Sequence, residues 1–410
     1  MENTTCCIVG GGPAGMMAGL LLARAGIEVT VLEKHRDFLR DFRGDTVHPA
    51  TLRLLDELGL GAKFAGLPHS KLAQMKMHFG DRTIVAADFG RIPGPHRYIA
   101  MVPQWDFLDL LAAAAAQEPS FTLRMATEVT GLRTDSDRVT GVDYRTADGA
   151  HGSLAADLVL ACDGRDSVVR TAAGLRQTMF EVPMDIWYVR VPMPARRRNE
   201  SMVFASFGDG RAAVTMDRGD YFQTGYLIEK GADAALRTHD IQWFRTELAA
   251  LFDWQPDTLT AIRSWDDVKL LEVSMGRLRR WYRDGLLCLG DAAHTMSPVG
   301  GVGVNLAIQD AVAAARLLAG PLRRGQVPTA DLARVQRRRS LPTAVMQKSQ
   351  LGDHDSLLRP ALAGTLTTPP AALRLIDKFP PLAGLTAYLG GIGIRTEHAP
   401  DYARRPLTVG

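Results

Sequence analysis

Cys6–Glu33 reads CCIVGGGPAGMMAGLLLARAGIEVTVLE, and this stretch decides the fold. Cys6–Val9 is a short apolar run of the kind that forms a buried strand. Gly10–Gly15 is a glycine turn, and Ala14–Ala25, rich in Ala and Leu, predicts a helix that Gly26 closes at C′. Glu28–Leu32 then reads as a second strand, which completes a βαβ unit. Gly10, Gly12 and Gly15 stand as G-x-G-x-x-G between strand and helix. The first permits the tight turn, the second lets a pyrophosphate approach the backbone, and the third lets helix and sheet pack closely. Phosphates then meet the N–H groups and positive dipole of the helix N-terminus. Glu33 ends the second strand about 20 residues past the glycines, where a carboxylate grips ribose hydroxyls. Ala14 in the turn and Lys34 beside Glu33 join the candidate contacts. The motif predicts a dinucleotide site, and NAD and FAD share it.

The chain of 410 residues suggests two to three domains at about 150 residues each. With 46% hydrophobic and 23% charged residues it has the composition of an ordinary soluble globular protein, which excludes disorder and a disulfide scaffold. Lys and Arg (48) nearly balance Asp and Glu (45), so nothing in the charge points to nucleic acid. The arginine clusters Arg196–Arg198, Arg277–Arg283 and Arg337–Arg339 read as solvated faces or phosphate contacts. No apolar run approaches the roughly 18–20 residues of a membrane span, and the N-terminus lacks the basic region of a signal peptide. The four cysteines lie in apolar runs without CxxC spacing and read as small core residues, which suits a cytoplasmic setting. No metal site is expected, and Asp353-His354-Asp355 reads as a polar loop.

Alternating runs such as MDIWYVRVP, AAVTMD and YFQTGYLI predict antiparallel strands, while α/β patterning returns further along the chain. The expected fold class is α/β. Residues 1–70, 98–175 and 276–330 would build a discontinuous Rossmann-like domain. Into it is inserted a mainly antiparallel β domain from 71–97 and 176–275, and a C-terminal helical segment spans 331–410.

Two further motifs follow the first. LVLACDGRDSVVR carries Asp163 and Gly164. GLLCLGDAAHTMSPVGGVGVNLAIQDA carries Gly290, Asp291, His294, Pro298, Gly301, Gly303, Val304 and Asn305. A carboxylate at a strand end can hold a ribitol hydroxyl. A helix opening after a Pro/Gly loop can aim its N–H groups at a reduced flavin ring. His294 reads as a brace for this loop.

The three motifs in this order resemble the single-component flavoprotein aromatic hydroxylases, the para-hydroxybenzoate hydroxylase-like family. The resemblance implies a bound FAD beside a β-sheet substrate domain, with NAD(P)H as a transient co-substrate. It also implies roles near the cofactor for Arg43, for Gln104 at the start of a helix, for Val129 near adenine, and for Pro298 with Gly301–Asn305 along the ring. In this family O2 adds to the reduced flavin, and the resulting C4a-hydroperoxide hydroxylates a small electron-rich aromatic substrate. No thioredoxin-like third domain, halogenase W-x-W-x-I-P signature or second nucleotide-binding G-x-G-x-x-G is expected.

A phenol must lose a proton as it is attacked, and a positioned acid or base typically contributes about 10²–10⁴-fold. Asp45 and His48 are the candidate catalytic residues. Asp45 matches an active-site aspartate of the family's phenol hydroxylase branch, although either residue could instead cap the helix that Pro49 opens. Trp187, Tyr188, Phe204, Met216, Tyr221 and Phe222 are candidate pocket residues, with Arg190 and Arg211 as partners for a substrate carboxylate. Two alternatives stand beside hydroxylation: a flavin dehydrogenase or reductase of the same fold, and a binding protein built like the GDP-dissociation inhibitors. The protein is expected to be a monomer or homodimer without membrane or nucleic-acid partners.

Overall fold

The computed structural model describes residues 2–39, 46–192, 203–218, 221–252, 254 and 256–406. Five strands run parallel, in the order Leu286–Cys288, His151–Ala161, Glu2–Val9, Val29–Leu32 and Phe121–Arg124. The central strands are almost wholly apolar where they pair (LLC, LVLA, CCIV, and VTVL with its buried Thr30), as a sheet covered on both faces requires, while the edge strand FTLR is only partly buried. Helices Pro13–Arg24 and Gly303–Arg323 supply part of that cover. The segment Val299–Arg323 is apolar and long enough to cross a membrane by composition, but 78% of its most apolar 18 residues are buried inside the protein, so its apolarity is absorbed by the core. A hairpin, Thr127–Asp135 with Arg138–Thr146, extends the sheet along His151–Ala161.

A second sheet of seven strands runs Lys269–Leu271, Met184–Pro192, Tyr221–Glu229, Arg211–Asp217, Val203–Gly208, Gln74–Phe79, Arg82–Asp88. It is antiparallel except where Val203–Gly208 meets Gln74–Phe79. Strand alternation gives it two apolar faces. Trp187, Val189 and Val191 pack under helix Ile241–Phe252, while Met184, Ile186 and Tyr188 face the other way. Two three-stranded ribbons complete the β structure, and one of them pairs Thr46–Val47 and Ser70–Leu72 with Ile99–Met101.

Helix Thr329–Asp353 follows and runs into a π-helical turn, His354–Leu358. The expected polar loop at Asp353-His354-Asp355 is therefore helical, and His354 is fully buried. Arg339, expected on a solvated face, is also buried, because Asp310 supplies its counter-charge 2.9 Å away. Arg196–Arg198 lie outside the described residues.

Candidate active site

Strand register brings the sequence motifs together. Val9 pairs with Leu32 on one side and Ala161 on the other, and Ala161 pairs with Cys288. The parallel strands thus end level, and the segments that follow them (Gly10–Gly15, Glu33, Asp163, Gly290-Asp291) line one edge of the sheet. Ligands of open α/β sheets bind at that carboxyl edge. Backbone bonds lock the alignment: Gly10 N–H donates to Leu32 (2.8 Å), Cys162 N–H to Val9 (2.8 Å) and Leu289 N–H to Ala161 (2.9 Å).

The glycines divide by role. Gly10 has φ +100°, and a Cβ there would lie 2.5 Å from the Cys162 carbonyl oxygen. A Cβ on Gly15 would collide with the Gly10 carbonyl. These two are demanded by packing. Gly12 is different, since a Cβ would meet nothing within 4 Å, which leaves open space at the mouth of helix Pro13–Arg24. That helix has no side-chain cap, and neither do Gln104–Ala115 and Gly303–Arg323. First-turn N–H groups of helices Pro13–Arg24 and Gly303–Arg323, which carry Ala14, Gly303 and Val304, suit the pyrophosphate and an electron-rich flavin ring, and Gln104 opens the third of these helices.

Glu33 is buried; its carboxylate accepts from Gly11 N–H (2.7 Å) and His35 N–H (3.0 Å), which fixes it beside the glycine turn. Lys34 is exposed beside it. Thr127 N–H donates to the Glu33 carbonyl (2.8 Å), which brings the strand bearing Val129 alongside. Asp163 binds its own loop: it accepts from Ser167 Oγ (2.5 Å) and Val169 N–H (3.1 Å) and so anchors the short helix Val168–Ala172. Burial raises its pKa, against the pull of those donors. Asp291 is half-buried at the end of Leu286–Cys288. These residues fit FAD: the open glycine cradle, uncapped helix ends and acidic strand tips match a dinucleotide with one phosphate bridge.

The loop expected to lie along the ring is built around Asn305. Its Oδ1 accepts from His48 N–H (2.9 Å) and Thr51 Oγ1 (2.8 Å), and its Nδ2 donates to the Thr46 carbonyl (3.1 Å). Thr46 Oγ1 donates to Gly301 (2.8 Å). Gly300 and Gly301 have φ of +76° and +62°, so the loop turns where side chains rarely can. Pro298, Gly301, Gly303, Val304 and Asn305 are thus gathered with His48 in one place. His48 itself caps helix Pro49–Glu57 with its backbone, and its Nδ1 lies 2.9 Å from the Gly390 carbonyl. Burial pushes its pKa down to about 4, so the ring is neutral at pH 7. Its Nε2 is buried without a hydrogen-bond partner. Arg43 and Asp45 lie outside the described residues.

The seven-stranded sheet sorts the pocket candidates. Tyr188 and Met216 belong to the apolar cluster that also holds Val299 of the ring-side loop. Trp187 and Phe222 do not; alternation turns them to the outer face, beneath helix Ile241–Phe252. Arg211 is also on that face, in a two-pronged pair with Glu247 (2.7 and 3.0 Å). Arg190 stacks over Tyr221 at 5.3 Å. The Phe204 side chain lies outside the described residues. Sequence reasoning missed Thr46, Thr51 and Asp310. Asp310 had a visible signal, a lone carboxylate on an otherwise apolar helix face. It accepts from Gly290 N–H (3.2 Å), lies 2.5 Å from His294 Nε2 and pairs with Arg339.

A carboxyl-edge site with a glycine cradle, acidic strand tips and a glycine loop opening a second helix defines a flavin-type dinucleotide protein. The chain belongs to the family described as FAD binding domain, which matches residues 3–349. It is 34% identical over 383 residues to 6-methylpretetramide 4-monooxygenase of Streptomyces rimosus, covering 92% of this chain and 90% of that one. It is 29% identical to rifampicin monooxygenase of Streptomyces venezuelae, covering 74% of this chain and 61% of that longer protein. Among solved structures, PqsL of P. aeruginosa in complex with 2-aminobenzoylacetate superposes with a TM-score of 0.75 at 20% identity, covering 89% and 98% of the two chains; this likeness is one of fold. The protein is an FAD-dependent monooxygenase, with NAD(P)H as the electron donor general to its family.

Proposed function

We propose that this monooxygenase hydroxylates a multi-ring phenolic compound held between the ring-side loop and the inner face of the seven-stranded sheet. The observation that carries this reading is the apolar cluster of Tyr188 and Phe207 on the inner face of the sheet, against which Met77 and Val299 of the loop pack, because it brings loop and sheet together through apolar side chains. Flat aromatic rings suit such walls. The similarity to 6-methylpretetramide 4-monooxygenase, across nine-tenths of both chains, supports a fused-ring substrate over a single ring. We take 1–70, 98–175 and 276–330 as the cofactor domain, 71–97 and 176–275 as the substrate domain, and 331–410 as a helical segment that braces both.

FAD, when bound and reduced, supplies the electrons and the oxygen-activating chemistry. Gly10, Gly12, Ala14 and Gly15 would receive its pyrophosphate, Glu33 and Lys34 its ribose end, and Val129 its adenine. Arg43, Gln104, Asp163 and Asp291 would line the path toward the ring, with Asp163 acting through the loop it anchors. Pro298, Gly301, Gly303, Val304 and Asn305 would lie along the ring. Asp45 is the proposed proton-handling group. His48, neutral and hydrogen-bonded behind the loop, is better placed to hold Thr46–Asn305 geometry than to exchange protons with substrate. All four cysteines are free and buried, which suits a reducing, cytoplasmic setting. The test is oxygen uptake and product analysis with fused-ring and single-ring phenols. Product formed in step with O2 only from fused rings supports the reading, and equal turnover of simple phenols overturns it. Asp45→Asn should lower kcat by about 10²-fold while leaving FAD binding unchanged.

A further inference from the structure

Helix Thr329–Asp353 carries polar side chains where a packing helix would carry Leu or Val. Arg339, Thr343, Gln347 and Gln350 are at most 2% exposed, and His354 in the π-turn is fully buried. They recur at spacings of about three to four residues, so they share one face. The C-terminal part of that face meets the segment Thr295–Val299 and, through Gln347, the neighbouring strand at Gly276. Gln347 Nε2 donates to the carbonyls of Gly276 (2.9 Å) and Thr295 (3.1 Å). Gln350 Nε2 donates to those of Ser297 (2.8 Å) and Val299 (2.7 Å), while its Oε1 accepts from Ser297 N–H (3.2 Å). His354 Nε2 lies 2.9 Å from Ser297 Oγ. Thr343 alone bonds within its own helix, to the Arg339 carbonyl (3.0 Å).

Buried amides persist where their hydrogen bonds are made. Those of Gln350 are made wholly to main-chain groups of one loop, and Gln347 ties the start of that loop to Gly276 and Arg277 on the paired strand. Apolar side chains would fill the same space without specifying the loop's backbone. We propose that Gln347, Gln350 and His354 are positioning residues that hold Thr295–Val299 in the shape that receives the flavin ring. The C-terminal helix thereby sets the cofactor's surroundings from behind the loop. This rests on the assignment of Pro298 and Gly301–Asn305 to the ring side of the cofactor.

Hydrogen exchange over residues 294–304, with and without FAD, tests it alongside the visible spectrum and reduction potential of the bound flavin. In the wild-type protein FAD should slow exchange of this stretch. Gln350→Met keeps length and bulk but loses all three hydrogen bonds. It should speed exchange there and weaken FAD binding by about tenfold each, with shifted flavin bands and potential. Gln350→Glu keeps an acceptor but loses both donors, and it should not restore wild-type behaviour. Thr343→Val, equally buried but bonded only within its helix, should match the wild type. A Gln350→Met protein with wild-type exchange, spectrum and potential would overturn the proposal, even if its thermal stability fell. Absence of FAD-dependent protection in the wild type would instead overturn the loop's assignment. If Gln350→Met does not fold, Gln347→Met, read on the same peptides, decides between the same outcomes.

Discussion

Asp310 and His48 are both buried and titratable, and their surroundings push them to opposite charge states. Burial penalises the Asp310 carboxylate, but His294 and then Arg339 overcome that penalty and hold its pKa below the ordinary carboxylate range. Removing that charge leaves Arg339 buried without its Asp310 partner. Asp310→Asn should therefore cost about 3–5 kcal/mol in urea denaturation. His48 goes the other way, down to about 4 through burial. Its unfolded counterpart takes up a proton near pH 6.5, so the unfolded state gains as pH falls between these values. The contribution is complete above about pH 6.5 and is lost toward pH 4, on the order of 3 kcal/mol in all. His48→Gln should flatten that part of the stability–pH curve. An unchanged slope would show that His48 titrates normally.

Among the elements, the glycine turn was the most legible because its logic is local. Strand, turn and helix are adjacent in sequence, Gly15 answers to Gly10 five residues away, and Gly10 answers to the neighbouring strand end at Cys162. The turn also yields a sharp contrast. Gly12→Ala adds a methyl group to open space, so apoprotein melting should be unchanged while FAD affinity falls by about tenfold or more. Gly15→Ala would drive a methyl group into the Gly10 carbonyl and should destabilise the fold itself. Melting curves and FAD titration of the two variants check this, and equal loss of stability in both would contradict it. The seven-stranded sheet was legible as alternation but not in its sidedness. MDIWYVRVP shows that Trp187 and Tyr188 face opposite ways, yet only the placement of helix Ile241–Phe252 reveals that Trp187 is the outer one. His354 and Arg339 misled for a related reason. Polarity suggests solvent, and their partners at Ser297 and Asp310 are distant in sequence.

At the scale of the whole molecule, one site is assembled from separated pieces of chain. Residues 10–15, 33, 163 and 291 meet because parallel strands end in register. That convergence could be anticipated from the order of the motifs, since each follows an apolar strand-like run. The brace behind the site could not. It depends on a helix from beyond residue 328 laying its polar face on the loop at 295–299. In the division of labour we propose, the parallel sheet and its helices hold FAD, the second sheet supplies a wall for the substrate, and the C-terminal helix fixes the loop between them. The most direct test of this account is the fate of labelled oxygen. Purified, FAD-loaded protein is supplied with NAD(P)H, ¹⁸O2 and a fused-ring phenol, and the product is weighed by mass spectrometry. The account predicts one labelled oxygen atom per product molecule, formed in step with NAD(P)H oxidation. A product that is oxidised without gaining label would contradict it.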